Sequence, residues 1–312
     1  MKNKIVIITG ANSGIGKQAT IKFAKSGYTV VMACRNIEKS IKVKEEIIGL
    51  SNNPNIDLLQ LDVSSMESIK KFTDNFLHKY EKLDILINNA GHFKHGEKIY
   101  QLSKDNIELT FATNLIGPFL LVELLKDAFM ESSDPRVLNA CTTNIRHFFE
   151  PKRKIDFNNL QGENKKKYNS YKMYGDSKMA FLMLTFKLAE VYPNIKINAV
   201  QIPAIKISKE TRKNLKLKWR ILASIQNLFS NSQESMAETY FYITTSDDFN
   251  NVSGKMINAD RLVMRVSDYK DDFKGSVKQL FDQMVYPKYA DNQDNIDKVW
   301  NLCNALTKKM NI

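Results

Sequence analysis

Cysteine is scarce. The three thiols, Cys34, Cys141 and Cys303, are scattered over 312 residues, an odd number without a spacing pattern, which argues against a disulfide framework and fits a reducing compartment. Histidine occurs only four times. His92 and His95 form an H-x-x-H pair, but no cluster of Cys or carboxylates completes a ligand set, so no metal is expected. No apolar run approaches the roughly 20 residues that a bilayer crossing needs. The first apolar run opens at Ile5, which leaves no room for a secretory signal, and a cytoplasmic protein is the expectation. Acid is in deficit, with 34 Asp and Glu against 46 Lys and Arg for a net charge of +12. Such an excess suits an anionic cofactor, and it admits peripheral contact with an anionic membrane. No basic motif interleaved with aromatics accompanies it, so no nucleic acid partner is expected. Repeats and low-complexity linkers are missing too, and a single domain over residues 1–312 is the simplest organisation.

What is present begins with Thr9-Gly10-Ala11-Asn12-Ser13-Gly14-Ile15-Gly16. It follows the β-branched run Ile5 to Ile8 and precedes a segment of helical period. Strand, glycine turn and helix in that order make a dinucleotide site, because glycines let the backbone approach a pyrophosphate and the helix N-terminus offers it free N–H groups and a positive dipole end. Apolar runs at Ile5–Ile8, Thr29–Ala33, Asp57–Leu61, Ile85–Ile87, Arg136–Cys141, Lys196–Val200 and Lys255–Ile257 alternate with helical patterns. The alternation predicts an α/β, doubly wound Rossmann fold with a seven-stranded parallel sheet. Helices are expected over Gly14–Lys25, Ile37–Ile48, Met66–Lys79, Lys104–Phe111, Ile116–Met130, Tyr171–Tyr192 and Ser232–Thr245. Within the single domain, residues 209–230 read as a basic amphipathic helix. Leu217, Ile221, Ile225 and Leu228 share one stripe, and Arg212, Lys213, Lys216 and Arg220 lie elsewhere around it, as expected of a lid over an apolar substrate. Residues 261–312 form a charged C-terminal extension.

Tyrosine four residues before lysine places both side chains on one helix face, where the ammonium favours the phenolate. The spacing recurs at Tyr100/Lys104, Tyr168/Lys172, Tyr174/Lys178 and Tyr192/Lys196, so context must choose. Only Tyr174/Lys178 opens a long helix one loop after a strand that ends in hydroxyls, Cys141-Thr142-Thr143. Thr142 is therefore the candidate to polarise a substrate oxygen, with Thr143 the alternative if the register slips by one.

Together these features resemble the short-chain dehydrogenase/reductase family, and most closely its retinol dehydrogenase-like branch. Leu61-Asp62-Val63, Asn88-Asn89-Ala90-Gly91, Thr113-Asn114-Leu115-Ile116-Gly117, Ile155-Asp156-Phe157, Val252-Ser253-Gly254-Lys255 and Val299-Trp300-Asn301-Leu302 extend the likeness over nearly the whole chain. The resemblance implies an oxidoreductase that moves a hydride between a nicotinamide and a carbonyl or alcohol of an apolar, retinoid-like or other, small molecule. It implies Tyr174 as proton donor or acceptor, Lys178 as the group that lowers its pKa and holds the nicotinamide ribose, and Asn114 as the anchor of a water. Gly10, Asn12, Ser13, Gly14, Ile15 and Gly16 would hold the pyrophosphate side. Asp62 and Val63 would meet the adenine, and Asn88, Ala90, Gly91 and Pro203 would line the rest of the cofactor. The second strand ends in Cys34-Arg35-Asn36 with no carboxylate to accept a ribose 2′-hydroxyl, so Arg35 and Asn36 point to NADP(H). A homodimer through the helix bearing Tyr174 is also implied. Two departures, threonine for the usual serine at Thr142 and Ala204 for the usual glycine after Pro203, keep open a second reading: an NADP(H)-binding regulatory or scaffold protein with little catalysis.

Overall fold

The computed structural model describes residues 4–94, 99–148, 153–159, 168–206 and 230–308. Seven strands form one parallel sheet in the order β3-β2-β1-β4-β5-β6-β7: β1 (Ile5–Thr9), β2 (Thr29–Cys34), β3 (Ile56–Gln60), β4 (Ile85–Asn88), β5 (Arg136–Thr142), β6 (Lys196–Ile202) and β7 (Met256–Ile257). Every residue of β1 is buried, as a central strand covered by helices on both faces requires. The expected doubly wound sheet is thus present. Its third strand sits one residue earlier than expected because Ile56 pairs with Val30.

Helices α1 (Gly14–Lys25), α2 (Ile37–Ser51) and α3 (Met66–Lys79) follow the first three strands. The two helices expected over Lys104–Phe111 and Ile116–Met130 are instead one, α4 (Leu109–Met130). Its start is delayed by a turn in which the Ser103 hydroxyl accepts from the Asp105 and Ile107 amides and Asn106 takes a left-handed φ of 58°. Glu108 then caps the helix by accepting from the Phe111 amide. By length and apolarity α4 could cross a membrane, but 72% of that stretch is buried in the protein, so it is a core helix. α5 (Ser170–Val191) and α6 (Gln233–Thr245) complete the two layers.

The chain after β7 makes a small parallel pair, β8 (Arg265–Val266) with β9 (Val285–Tyr286), enclosing α7 (Phe273–Phe281), and ends in α8 (Gln293–Thr307). α8 belongs to the core: Val299 and Cys303 are fully buried, Trp300 meets Phe119 of α4 edge-on at 5.5 Å, and Asp297 pairs with Lys187 of α5 at 3.0 Å. A homodimer through α5 would have to accommodate this helix. The expected lid over residues 209–230 lies outside the described residues except for Ser230. Its base is visible, since Asn231 donates to the Ala204 carbonyl and accepts from the Lys206 amide, both at 3.0 Å.

Helix α4 approaches the end of β3 closely enough to exclude any side chain at Gly117, where a Cβ would stand 2.1 Å from the Val63 carbonyl oxygen. Gly117→Ala is expected to destabilise the fold by about 1–3 kcal/mol through overpacking, seen as a lower urea midpoint at an unchanged slope.

Candidate active site

Between β1 and β4 the strand order reverses direction, and there, outside the carboxyl ends of the strands, an open/closed α/β sheet leaves its crevice. A cleft of about 650 Å³ occupies this position. Gly10, Asn12, Ser13, Gly14 and Ile15 line one end. Gly10 and Gly14 take φ of 66° and 56°, a conformation other residues adopt with strain. The first turn of α1 contains no acid, and the Ser13 hydroxyl makes no capping hydrogen bond, so the positive end of α1 is left facing the cleft. Asn12 is held by its amide, which donates to the Ser40 hydroxyl at 2.9 Å. Gly16 has another task than the one expected of it: a Cβ there would stand 2.3 Å from the Gly10 carbonyl, so it permits the turn to pack on α1.

Arg35 and Asn36, at the end of β2, and Lys39, in the first turn of α2, line the middle of the cleft. Asn36 caps α2 by accepting from the Lys39 amide at 2.9 Å, and Arg35 is exposed. Asp62 and Val63 line the far wall. One Asp62 oxygen already accepts from the Ser64 amide and hydroxyl, which fixes the carboxylate's orientation.

Ala90 and Gly91 line the cleft as expected, but Asn88 does not: it is 1% exposed, and its amide donates to Asn139 at 2.9 Å. The neighbour Asn89 takes its place, lining the cleft with its amide on the Thr9 carbonyl at 2.9 Å. Alternation along a strand sends adjacent side chains to opposite faces, and the sequence alone does not say which asparagine faces which way. Pro203 follows Ile202, the last residue of β6, which lines the cleft.

On the substrate side, β5 ends at Thr142, whose hydroxyl caps a short 3-10 helix (Thr143–His147) by accepting from the Asn144 amide at 3.3 Å. Tyr174 lies in the second turn of α5. Thr142 stands near enough to Tyr174 to draw its pKa downward, which favours Thr142 over Thr143. Phe93, absent from the sequence expectations, stacks on Tyr174 with ring centroids 4.5 Å apart. Asn114 is fully buried in a stretch of wider π-helical pitch, Ala112–Ile116, a distortion that recurs at functional sites. Its side chain accepts from the His92 amide at 2.7 Å and donates to the Ser177 hydroxyl at 3.0 Å. It thus ties the loop after β4 to α5.

The Lys178 ammonium donates to the Ala140 carbonyl at 2.7 Å. A Cβ on Gly91 would stand 3.6 Å from the same nitrogen and 3.4 Å from the Asn114 oxygen, so Gly91, Asn114 and Lys178 converge. Burial brings Lys178 down from 10.5 to about 8, against an opposing pull from Cys141. Burial raises the Tyr174 phenol above its ordinary 10, and Thr142 works in the other direction. The expected lowering of Tyr174 by Lys178 is therefore not what this arrangement does, because the ammonium is turned to a main-chain oxygen. The competing tyrosines have structural partners: Tyr168 donates to Glu108 at 3.1 Å, and Tyr192 to Glu123 at 2.7 Å. Tyr100 packs edge-on against Tyr168.

The comparisons agree with this geometry. Residues 4–147 match the short chain dehydrogenase family. Mouse retinol dehydrogenase 12 is 36% identical over 307 residues, covering 97% of this chain and 86% of its own. The chloroplastic short-chain dehydrogenase TIC 32 A of Brassica napus is 35% identical, covering 81% and 79%. Among solved structures, an uncharacterized Mycobacterium paratuberculosis protein superposes with a TM-score of 0.67 at 22% identity, covering 98% of this chain and 93% of its own. A short chain dehydrogenase of Shigella flexneri 2a, complexed with NADP, does so at 0.62 and 18%, covering 83% and 98%. A parallel sheet with this crevice and a Tyr-x-x-x-Lys helix beside it defines the short-chain dehydrogenase/reductase class. The chain belongs to that family, in its retinol dehydrogenase-like branch.

The depressed Lys178 has a consequence for stability. Between about 8 and the unfolded value of 10.5 the unfolded chain binds a proton that the folded chain does not, so this group makes stability rise with pH across that window. Lys178→Met keeps the stem and removes the charge. It is expected to be the more stable protein at pH 7, by up to roughly 3 kcal/mol at about 1.36 kcal/mol per tenfold change in proton affinity. The advantage should shrink as pH climbs from 8 to 10.5, as read from denaturant midpoints along a pH series.

Proposed function

We propose that the protein is an NADP(H)-dependent oxidoreductase that transfers a hydride between the nicotinamide and a carbonyl or alcohol of an apolar small molecule. The observation that carries this reading is the placement of the Thr142 and Tyr174 hydroxyls near one another at the carboxyl edge of the sheet, beside Lys178 and the dinucleotide-shaped cleft. The cleft fits the cofactor on the chain's own terms: glycines at positive φ, an acid-free start to α1, and Arg35 with Lys39 where a 2′-phosphate would lie. Relatives named retinol dehydrogenase support the apolar substrate class, and the Shigella structure complexed with NADP supports the cofactor.

The bound nicotinamide supplies or accepts the hydride. Thr142 donates a hydrogen bond to the substrate oxygen, and Tyr174 gives that oxygen its proton in reduction or removes it in oxidation. The Lys178 ammonium, 3.6 Å from the Cβ position of Gly91, would hold the ribose hydroxyls, and its positive charge would favour the phenolate of the tyrosine. Asn114 keeps the loop after β4 and α5 in register. Both hydroxyls needed for proton transfer are thus neighbours, which favours an enzyme over a regulatory nucleotide binder.

Tyr174→Phe is expected to abolish NADPH oxidation against apolar aldehydes and ketones while NADPH still binds, as followed by quenching of protein fluorescence. Undiminished turnover would overturn the mechanism. Arg35→Ala is expected to weaken NADPH binding about tenfold to a hundredfold, the worth of one charge-assisted contact, and to leave NADH binding nearly unchanged. Equal losses for the two nucleotides would remove Arg35 as the phosphate ligand.

A further inference from the structure

Aromatic side chains gather on the substrate side of the site. Tyr171 and Tyr174 stand three residues apart on α5, so their rings are neighbours on one face of that helix. Phe93, from the loop after β4, stacks on Tyr174 with centroids 4.5 Å apart and meets Tyr171 edge-on at 6.1 Å. Two residues before α5 begins, Tyr168 meets Tyr100 edge-on at 5.5 Å. The rings are not closed over: Phe93 is 41% exposed and Tyr171 46%. An aromatic row thus leads from solvent to the phenol that moves the proton.

The main chain delivers Phe93 to this position. Asn114 accepts from the His92 amide at 2.7 Å and donates to the His92 carbonyl at 3.1 Å, so the residue before Phe93 is held at both of its main-chain polar groups. His92 itself lines the cofactor cleft, and Phe93 follows directly on that wall. A ring fixed in advance loses little freedom when a ligand covers it.

The geometry points to an aryl aldehyde or ketone as the substrate class, with Phe93 and Tyr171 as the residues that select it. The inference rests on the oxidoreductase reading above and narrows it. Aromatic rings attract one another edge to face or offset beyond the area they bury, whereas an aliphatic ring gains only the area. Because the stack begins on Tyr174 itself, the favoured ring is one bonded directly to the carbonyl carbon. A ring further along a chain would lie beyond Phe93. Reduction of an aryl aldehyde then gives the benzylic alcohol: the carbonyl carbon receives hydride from NADPH, the oxygen receives the Tyr174 proton, and NADP+ is left.

Benzaldehyde and cyclohexanecarbaldehyde share a carbon skeleton and differ in the π system of the ring. The ratio of their kcat/KM values with NADPH is expected to fall about threefold to tenfold in Phe93→Leu, the worth of one aromatic pair, and by a similar factor in Tyr171→Leu. Phe93→Tyr is expected to keep the wild-type ratio. Differences in intrinsic reactivity cancel, since each variant is compared with the wild type on the same two aldehydes. Isothermal titration with benzamide and cyclohexanecarboxamide, which accept no hydride, reads the same preference from binding alone. Equal losses for both aldehydes in Phe93→Leu, as a purely structural role would give, overturn the proposal. So does equal binding of the two amides by the wild type. A preference for benzamide that Phe93→Leu abolishes, without turnover of either aldehyde, upholds the aryl site and overturns the oxidoreductase reading instead.

Discussion

A fully buried cation needs an acceptor, and the working edge of this protein is arranged around that requirement. Lys178 donates to the Ala140 carbonyl of β5 and forms no ion pair with a carboxylate among the described residues. Burial of such a charge is unfavourable unless hydrogen bonds compensate, and its pKa falls to about 8 as a result. The structure around it supplies the rest of the site by geometry. Gly91 leaves the space above the ammonium unfilled, Asn114 ties the flanking loop to α5, and Thr142 meets Tyr174 one turn earlier on the same helix. A charge held at such cost is a store of binding energy for whatever places oxygens beside it. Ribose hydroxyls are that kind of ligand.

The sheet decides where this happens. Because β1 and β4 are neighbours while their connections run to opposite sides, the loops after them part and leave the crevice. Gly10, Gly16 and Asn89 then fit together within it: Asn89 bonds the Thr9 carbonyl, and its amide would lie 2.6 Å from a Cβ on Gly16. The glycine turn is thus shaped as much by its contacts with α1 and the β4 loop as by any ligand. Only Gly10 and Gly14 are required by backbone conformation.

These contacts explain what could be read from the chain and what could not. α1 and α3 have the expected bounds, because each pairs an apolar stripe with a clear start, and Ser65 caps α3. The strand order follows from alternating β and α segments. Tyr174 was separable from three rival tyrosines by its position after β5. In contrast, Asn88 ends β4 and Asn89 follows it, and no local pattern records which of the two lines the cleft. The orientation of Lys178 depends on a carbonyl 38 residues away, and the four-residue spacing to Tyr174 says nothing of it. The junction of α4 was hidden because a helix with a π turn keeps an unbroken apolar face where two helices were expected.

The C-terminal extension was the least legible part, and its role emerges only from contacts. It was expected only as a charged region. In the structure it reaches helix α5 and the chain before it: α8 packs along α5, while Gln279 of α7 and Tyr289 bond the loop segments that follow β5. Phe148 is stacked between the Tyr289 ring and the Arg153 guanidinium. Arg153 in turn reaches Asp176, two residues from Tyr174, and fills the space that a side chain at Gly175 would need. Glycine at 175 makes room for the Arg153 guanidinium, which a Cβ there would approach to 2.3 Å. The tail thus contacts both the segment after β5 and helix α5, which links the irregular residues around Tyr174 to the additional residues beyond β7.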